Sequence, residues 1–568
     1  MNDRRLQIQR VESAATFILT RVFSIVGIAI LTSAVLENGS PIQAQSPNKP
    51  LKIDPALLVE AQVVWGVVAQ DDNPLWPGWN ASDTPVLIYL PGVQEVLINH
   101  PSAPEEFQQV DGVHGKLFDQ IQVRDGVTEI AWDGQNTSKE MFGVETLVLA
   151  DTLSNRKNWL RGWEGDQRES QQKLEDLDYE SLRADVYEQL AMIVHEAFHV
   201  FQMRELNHKA ADERDVRNYP CLSVENNVCV ALESFALEKA IRAETDTELR
   251  KYACQWMAIR EHRRRNLPPK ALEYEDSNEF IEGTAKYIEV VFMEQMEKTN
   301  PAPPLWYFQG FEGFEDLSWF KDLRLKQMLR NMQGKVNVNN DPYGTSPVRG
   351  RLYFSGMGIA LLLDKIQPDW KRMIAAPEMS LTELVRISLR PTAKELNEGW
   401  ENAKQMPEYE ELIRSKTELR ELGTQDTLRM LDEIRSGPGT LVEIDWSSLN
   451  SDKIGLSFTP FGVRALDSDR TIYTLVPISA DLSSSRYAFR QSAPTETLED
   501  RKNKVFQFQI REKIDVEWLE KNLGTAQDGV YNVDQLDLQV SGTQFKAAKS
   551  KVTFQDGKLR FVYLPVDQ

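Results

Sequence analysis

The chain has 568 residues, 41% of them hydrophobic and 9% aromatic, which is enough to build several packed domains. Its formal charge is -21 at pH 7. So acidic a chain argues against a phosphate-backbone partner, which would require a basic face, and no nucleic-acid binding is expected.

The first residues read as a targeting segment. Arg4, Arg5, Arg10 and Arg21 precede an apolar run from Val22 to Leu36, and a small residue, Ala44, follows in "PIQAQS". A positive stretch, a short apolar stretch and a small-residue cleavage site are the parts of a signal peptide. Export to the periplasm or the extracellular space, with cleavage near Ala44 and residues 1–44 removed, is therefore expected. An uncleaved N-terminal anchor is the alternative reading. No later stretch is long and apolar enough to span a membrane, so no span is expected in the mature chain.

From residue 52 to about 170 the signals are mostly β. "TPVLIYLPGVQEVLINHP" reads as two strands around Pro91-Gly92, and "IQVRDGVTEIAW" as a hairpin around Asp125-Gly126. A further strand, Glu145 to Asp151, reads as an edge able to align an extended peptide. From 171 to 435 the pattern is helical. Lys173–Glu205 and Ser223–Arg242 read as helices, Asp246 as the cap of Thr247–Asn266, Ser277 as the cap of the next, and Leu352–Ile366 as another. "SGPG" at 436–439 marks a boundary, and 438–568 alternates as a β-sandwich or barrel, with a hairpin turn at Asp556-Gly557. The expected class is α+β: a helical domain between a β-rich N-terminal subdomain and an all-β C-terminal domain. Cys221, Cys229 and Cys254 show no zinc-finger spacing; Cys221 and Cys229 flank a loop and form either a disulfide or free thiols.

The chemistry concentrates in "AMIVHEAFHVFQ". On a helix His195 and His199 lie one turn apart on one face, where two imidazoles can hold one metal ion, and Glu196 sits on the adjoining flank as a general base. The surrounding residues are apolar almost all round, so the helix belongs to a core. Burying two histidines and a glutamate there is unfavourable without partners, and a metal supplies them. A catalytic zinc still needs a third protein ligand. Glu233, a lone carboxylate in "VALESFAL", and Glu282, in "EFIEGTAKYIE", are the candidates. Gly283, Thr284 and Ala285 would let the Glu282 helix pack close to the HExxH helix.

"EGTAKYIE" resembles the E-G-x-A-x-Y-x-E element of the gluzincin metallopeptidases, among them the aminopeptidase N-like, glycyl aminopeptidase-like and collagenase groups. The resemblance implies that Glu282 is the third zinc ligand and that Glu289 supports it, leaving Glu233 second choice. "LYFSGMGIALLLDKI" is similar to the helix that follows the zinc helices in the first two groups, and this implies Tyr353 as the oxyanion donor, with Tyr343 and Arg351 as backups. The resemblance covers about residues 180–370. The G-x-M-E-N element that binds a substrate amino terminus is missing, and "FGVET", Phe142 to Thr146, matches it only weakly. The implied activity is an exported zinc metallopeptidase acting on peptide or protein, with His195, His199 and Glu282 on Zn2+ and Glu196 as base. Two other readings remain open: a non-catalytic surface or binding protein braced by structural zinc, and a zinc hydrolase of another amide or ester.

Overall fold

The computed structural model describes residues 50–110, 120–126, 134–152, 154–155, 185–210, 212–335, 341–449, 454–458, 462–474, 478–482, 486–492 and 495–566. The targeting segment and Ala44 lie outside them. The fold is α+β in the expected order, with a β-rich region, a helical middle and a C-terminal half-barrel. No helix among the described residues is long and apolar enough to cross a membrane. Contacts divide the chain into two compact units. The first holds the described residues up to 155, 185–207 and 288–321; the second holds those of 208–287 and 322–566.

The first unit is built on a mixed sheet. Its strands are β1 (Val86–Leu90), β2 (Gln94–Ile98), β3 (Gln108–Gln109), β4 (Ile121–Asp125), β5 (Thr137–Met141) and β6 (Val144–Ala150), in the order β3-β4-β2-β1-β6-β5. The β1–β2 hairpin turns at Pro91-Gly92 as expected, and Gly92 takes the positive φ of 70° that the turn needs. The far arm of the Asp125-Gly126 hairpin lies outside the described residues. The strand near Glu145 is not an edge. β6 pairs in parallel with β1 and antiparallel with β5, so among the described residues β5 is the outermost strand on that side. Phe142 and Gly143, at φ 50° and 82°, form the tight β5–β6 turn, so "FGVET" is a hairpin turn and the start of an interior strand.

Helix α1 (Pro55–Val68) and helix α2 (Val186–Glu205) pack together, and β5 and β6 lie against α2. The sequence pattern runs this helix from Lys173; residues 173–184 lie outside the described ones, and the helix described begins at Val186. The Asp185 carboxylate caps it, accepting from Tyr187 N at 2.8 Å. α2 is buried almost all round, and Phe198 meets Trp76 and Trp79 with ring centroids 5.0 and 5.1 Å apart.

The second unit holds α3 (Val224–Arg242), α4 (Asp246–Arg264) and most of α5 (Pro269–Met296). It also holds α6 (Ser346–Ile366), α7 (Leu381–Leu389) and α8 (Tyr409–Ser436). Thr245, not Asp246, caps α4, accepting from Glu248 N. α5 starts at Pro269, eight residues before Ser277, because proline suits the first helical position. Ser277 is buried inside it, where Ala271 and Tyr274 already face a core. Gly283 faces α6 rather than the HExxH helix: a Cβ there would come 2.5 Å from Gly356 Cα. A Cβ on Gly356 would strike the Glu279 carbonyl.

Beyond Ser436 the chain forms an eleven-stranded half-barrel sheet. At its middle β7 (Thr440–Asp445) runs antiparallel to β8 (Val505–Ile510) and parallel to β10 (Lys558–Tyr563), which pairs with β9 (Thr543–Gln555) across the Asp556-Gly557 turn. Phe489, Phe506, Phe508, Phe545 and Phe561 fill its inner face, and Tyr274 of α5 and Leu352 of α6 join the same core.

The α5–α6 contact gives the first prediction. Gly283→Ala should lower unfolding stability by about 1–3 kcal/mol in a urea titration, because two backbones cannot both shift away. Gly66→Ala, with nothing within 4 Å, should be neutral or stabilising. Equal behaviour of the two would refute the close approach.

Candidate metal centre

His195 and His199 are both buried on α2. His195 Nδ1 lies 2.9 Å from Glu289 Oε1, and His199 Nδ1 lies 2.7 Å from Gln202 Oε1. In the tautomer that donates Nδ1–H to these oxygens, both Nε2 atoms carry lone pairs. Those two atoms face each other at 3.1 Å. Two lone pairs aimed at one point repel unless a cation lies between them. Nitrogens held 2.0–2.1 Å from a tetrahedral zinc would sit about 3.3–3.4 Å apart, close to the spacing here. A ligand histidine usually donates its second N–H to an oxygen that fixes the ring, and Glu289 and Gln202 fill that role. Gln202, three residues after His199 on the same helix, orients that ring.

Glu282 and Glu289 stand seven residues apart on α5, two turns and about 10 Å along one helix face. Glu282 is buried, and Arg349 Nη2 donates to its Oε1 at 2.7 Å. Arg349 also bonds Glu213 at 2.7 Å and contacts Asn278 and Tyr274 Oη. Its guanidinium lies 5.7 Å from the Tyr353 ring centroid. Burial, and next the Glu282 carboxylate, push the Tyr353 phenol well above its usual range, so it stays protonated and able to donate. One nitrogen of each histidine and one Glu282 oxygen lie within 4.8 Å of one another, a buried group that could hold a metal ion. Two neutral imidazoles and a carboxylate are the donor chemistry a zinc ion takes.

The structure thus brings together His195, His199 and Glu282 from the residues picked out in sequence. Glu196 is half-buried and makes no hydrogen bond or ion pair among the described residues. Glu233 goes elsewhere. Its Oε1 bonds Arg263 Nε at 2.6 Å and its Oε2 bonds Arg260 Nη1 at 2.9 Å, so both oxygens serve a buried ion-pair lattice. Tyr343 sits in a loop with its ring 5.6 Å from the Arg464 guanidinium, and Arg351 bonds Asn227. All three cysteines are free thiols. Arg349 is the residue sequence reading passed over. Its signal was present, since it lies four residues before Tyr353 and shares its helix face.

Metal analysis of the purified chain should find about one zinc per molecule. Glu282→Ala should lose it, and Glu289→Gln should weaken it about 10–100-fold in a chelator competition. Glu233→Gln should keep the metal and lose stability instead. A wild-type chain that binds no divalent metal would sink the site. Comparison of the chain with protein-family models, with curated proteins and with solved structures finds no match.

Proposed function

We propose that this protein is a zinc-dependent metallopeptidase of gluzincin type, hydrolysing peptide bonds in peptides or proteins. The observation that carries the reading is the convergence of His195, His199 and Glu282, with Glu196, which has no partner among the described residues, beside the first histidine. His195, His199 and Glu282 would hold the zinc, which when bound supplies a Lewis acid that polarises a carbonyl and acidifies water.

The remaining work falls to the chain's own groups. Glu196, without a partner among the described residues, takes a proton from the attacking water and passes it to the leaving amine. Tyr353, kept protonated, donates to the carbonyl oxygen as negative charge develops on it. Glu289 and Gln202 hold the imidazoles in one tautomer and one orientation. Arg349 positions Glu282. β5, the outermost strand on that side among the described residues, lies beside α2, where an added peptide strand would extend the sheet, which favours a peptide substrate. A carboxylate base at Glu196 has no use in a purely structural zinc site. Export with cleavage near Ala44 belongs to the same proposal and rests on the N-terminal sequence.

Incubation with a mixed peptide library should give cleavage products. Glu196→Gln should remove at least about 100-fold of the rate while zinc content stays unchanged, as loss of a general base does. Tyr353→Phe should lower kcat more than it raises KM. Zinc at full occupancy with no peptide cleaved would overturn the peptidase reading. N-terminal sequencing of the mature protein should start just after Ala44.

A further inference from the structure

The second unit contains a cavity of about 200 Å³ lined by Cys221, Asn227, Met332, Pro347, Arg351 and Lys416 among others. Two of the lining side chains are buried cations, Arg351 at 6% exposure and Lys416 at 8%. Neither has an ion-pair partner among the described residues, although the chain carries a large excess of acid. Asp341, a buried carboxylate of the same region, is taken by Arg464 at 2.7 Å and by the Gly344 amide.

Arg351 uses Nη1 to bond Asn227 Oδ1 at 2.8 Å and lies 5.3 Å from the Tyr219 ring centroid. Its Nε is buried with no hydrogen-bond partner. The Nε–Nη2 edge, the fork that matches two oxygens of one anion, is therefore unused. Lys416 Nζ donates to the Gln333 carbonyl at 2.5 Å, which leaves two of its three protons. Burial, then Arg351 and Lys335, lower its pKa to about 8, and no acid offsets them. Cys221 adds no negative charge, because burial pushes its thiol up to about 12. An unpaired buried guanidinium is strongly unfavourable, and a second cation beside it makes matters worse.

We propose that this cavity binds a small tetrahedral oxyanion of the phosphate or sulfate class, held by the Nε–Nη2 edge of Arg351 and by Lys416. The site is separate from the metal centre and does not rest on the peptidase reading. Because α6 carries Arg351 to the cavity and Arg349 to Glu282, a bound oxyanion also steadies the start of that helix.

Equilibrium dialysis of the full chain against radiolabelled inorganic phosphate tests this. About one phosphate per chain is expected, displaced by sulfate and not by chloride or acetate at equal ionic strength. Phosphate should also raise Tm by about 2–4 °C. Lys416→Met keeps the side-chain length, removes a buried charge and should fold as well as wild type in acetate buffer. It should lose at least about tenfold in phosphate affinity. Arg351→Gln should do the same. If that variant does not fold, Lys416→Met alone decides. No stoichiometric phosphate on the wild type, equal binding by Lys416→Met, or displacement by chloride as readily as by sulfate would each overturn the proposal.

Discussion

Everything at the candidate centre depends on α5 being held in one position, and a buried lattice of ions holds it. Arg260 of α4 bridges Glu233 of α3 and Glu279 of α5, while Arg263 bridges Glu233 and Glu275. Ser355 of α6 bonds Glu279 at 2.6 Å, Tyr219 Oη bonds Glu275 at 2.5 Å, and Thr382 of α7 takes Arg260 Nε at 2.9 Å. Buried charge in such a place is tolerable only when nearly every donor and acceptor is satisfied, and a satisfied network allows one arrangement only. The lattice therefore acts less as a source of stability than as a fixture. It sets the rotation and height of α5, and with them the positions of Glu282 and Glu289.

The pairing of those two glutamates follows from helix geometry. Two turns separate them on one face, so fixing one fixes the other. Glu289 lies 2.9 Å from His195 Nδ1, and one Glu282 oxygen lies within 4.8 Å of one nitrogen of each imidazole. One helix thus carries both a carboxylate of the group that could hold a metal ion and the residue that lies against His195 Nδ1. Close packing at Gly283 and Gly356 removes the remaining freedom to slide, since neither backbone has room for a side chain between them.

Two arginines on α6 show how local chemistry divides labour. Arg349 and Arg351 are two positions apart, which turns them to opposite sides of the helix. Arg349 meets the carboxylates of Glu282 and Glu213, while Arg351 meets an amide, a ring and a cavity. The same side-chain type is neutralised on one face and left unbalanced on the other.

The sequence by itself determined the α+β class and picked out the residues of a group that could hold a metal ion. The i, i+4 histidines with an adjoining glutamate, the helical and alternating periods, and the Asp556-Gly557 turn are local patterns, and local patterns survive in one dimension. Starts and faces were read less well. Thr245 and Asp185 cap helices through backbone conformations that composition does not reveal, and Ser277 fell inside a helix because Pro269 could open it earlier. β6 is interior because β5 folds back onto it, a pairing between strands that neither strand encodes alone. The resemblance put Glu282 ahead of Glu233, and the tertiary structure shows what separates them physically. Both are single carboxylates in apolar helices, and what distinguishes them is which groups lie across from them: two guanidinium groups for Glu233, and Arg349 and two imidazoles for Glu282. Those partners lie far along the chain, and the partners of a buried charge decide its role.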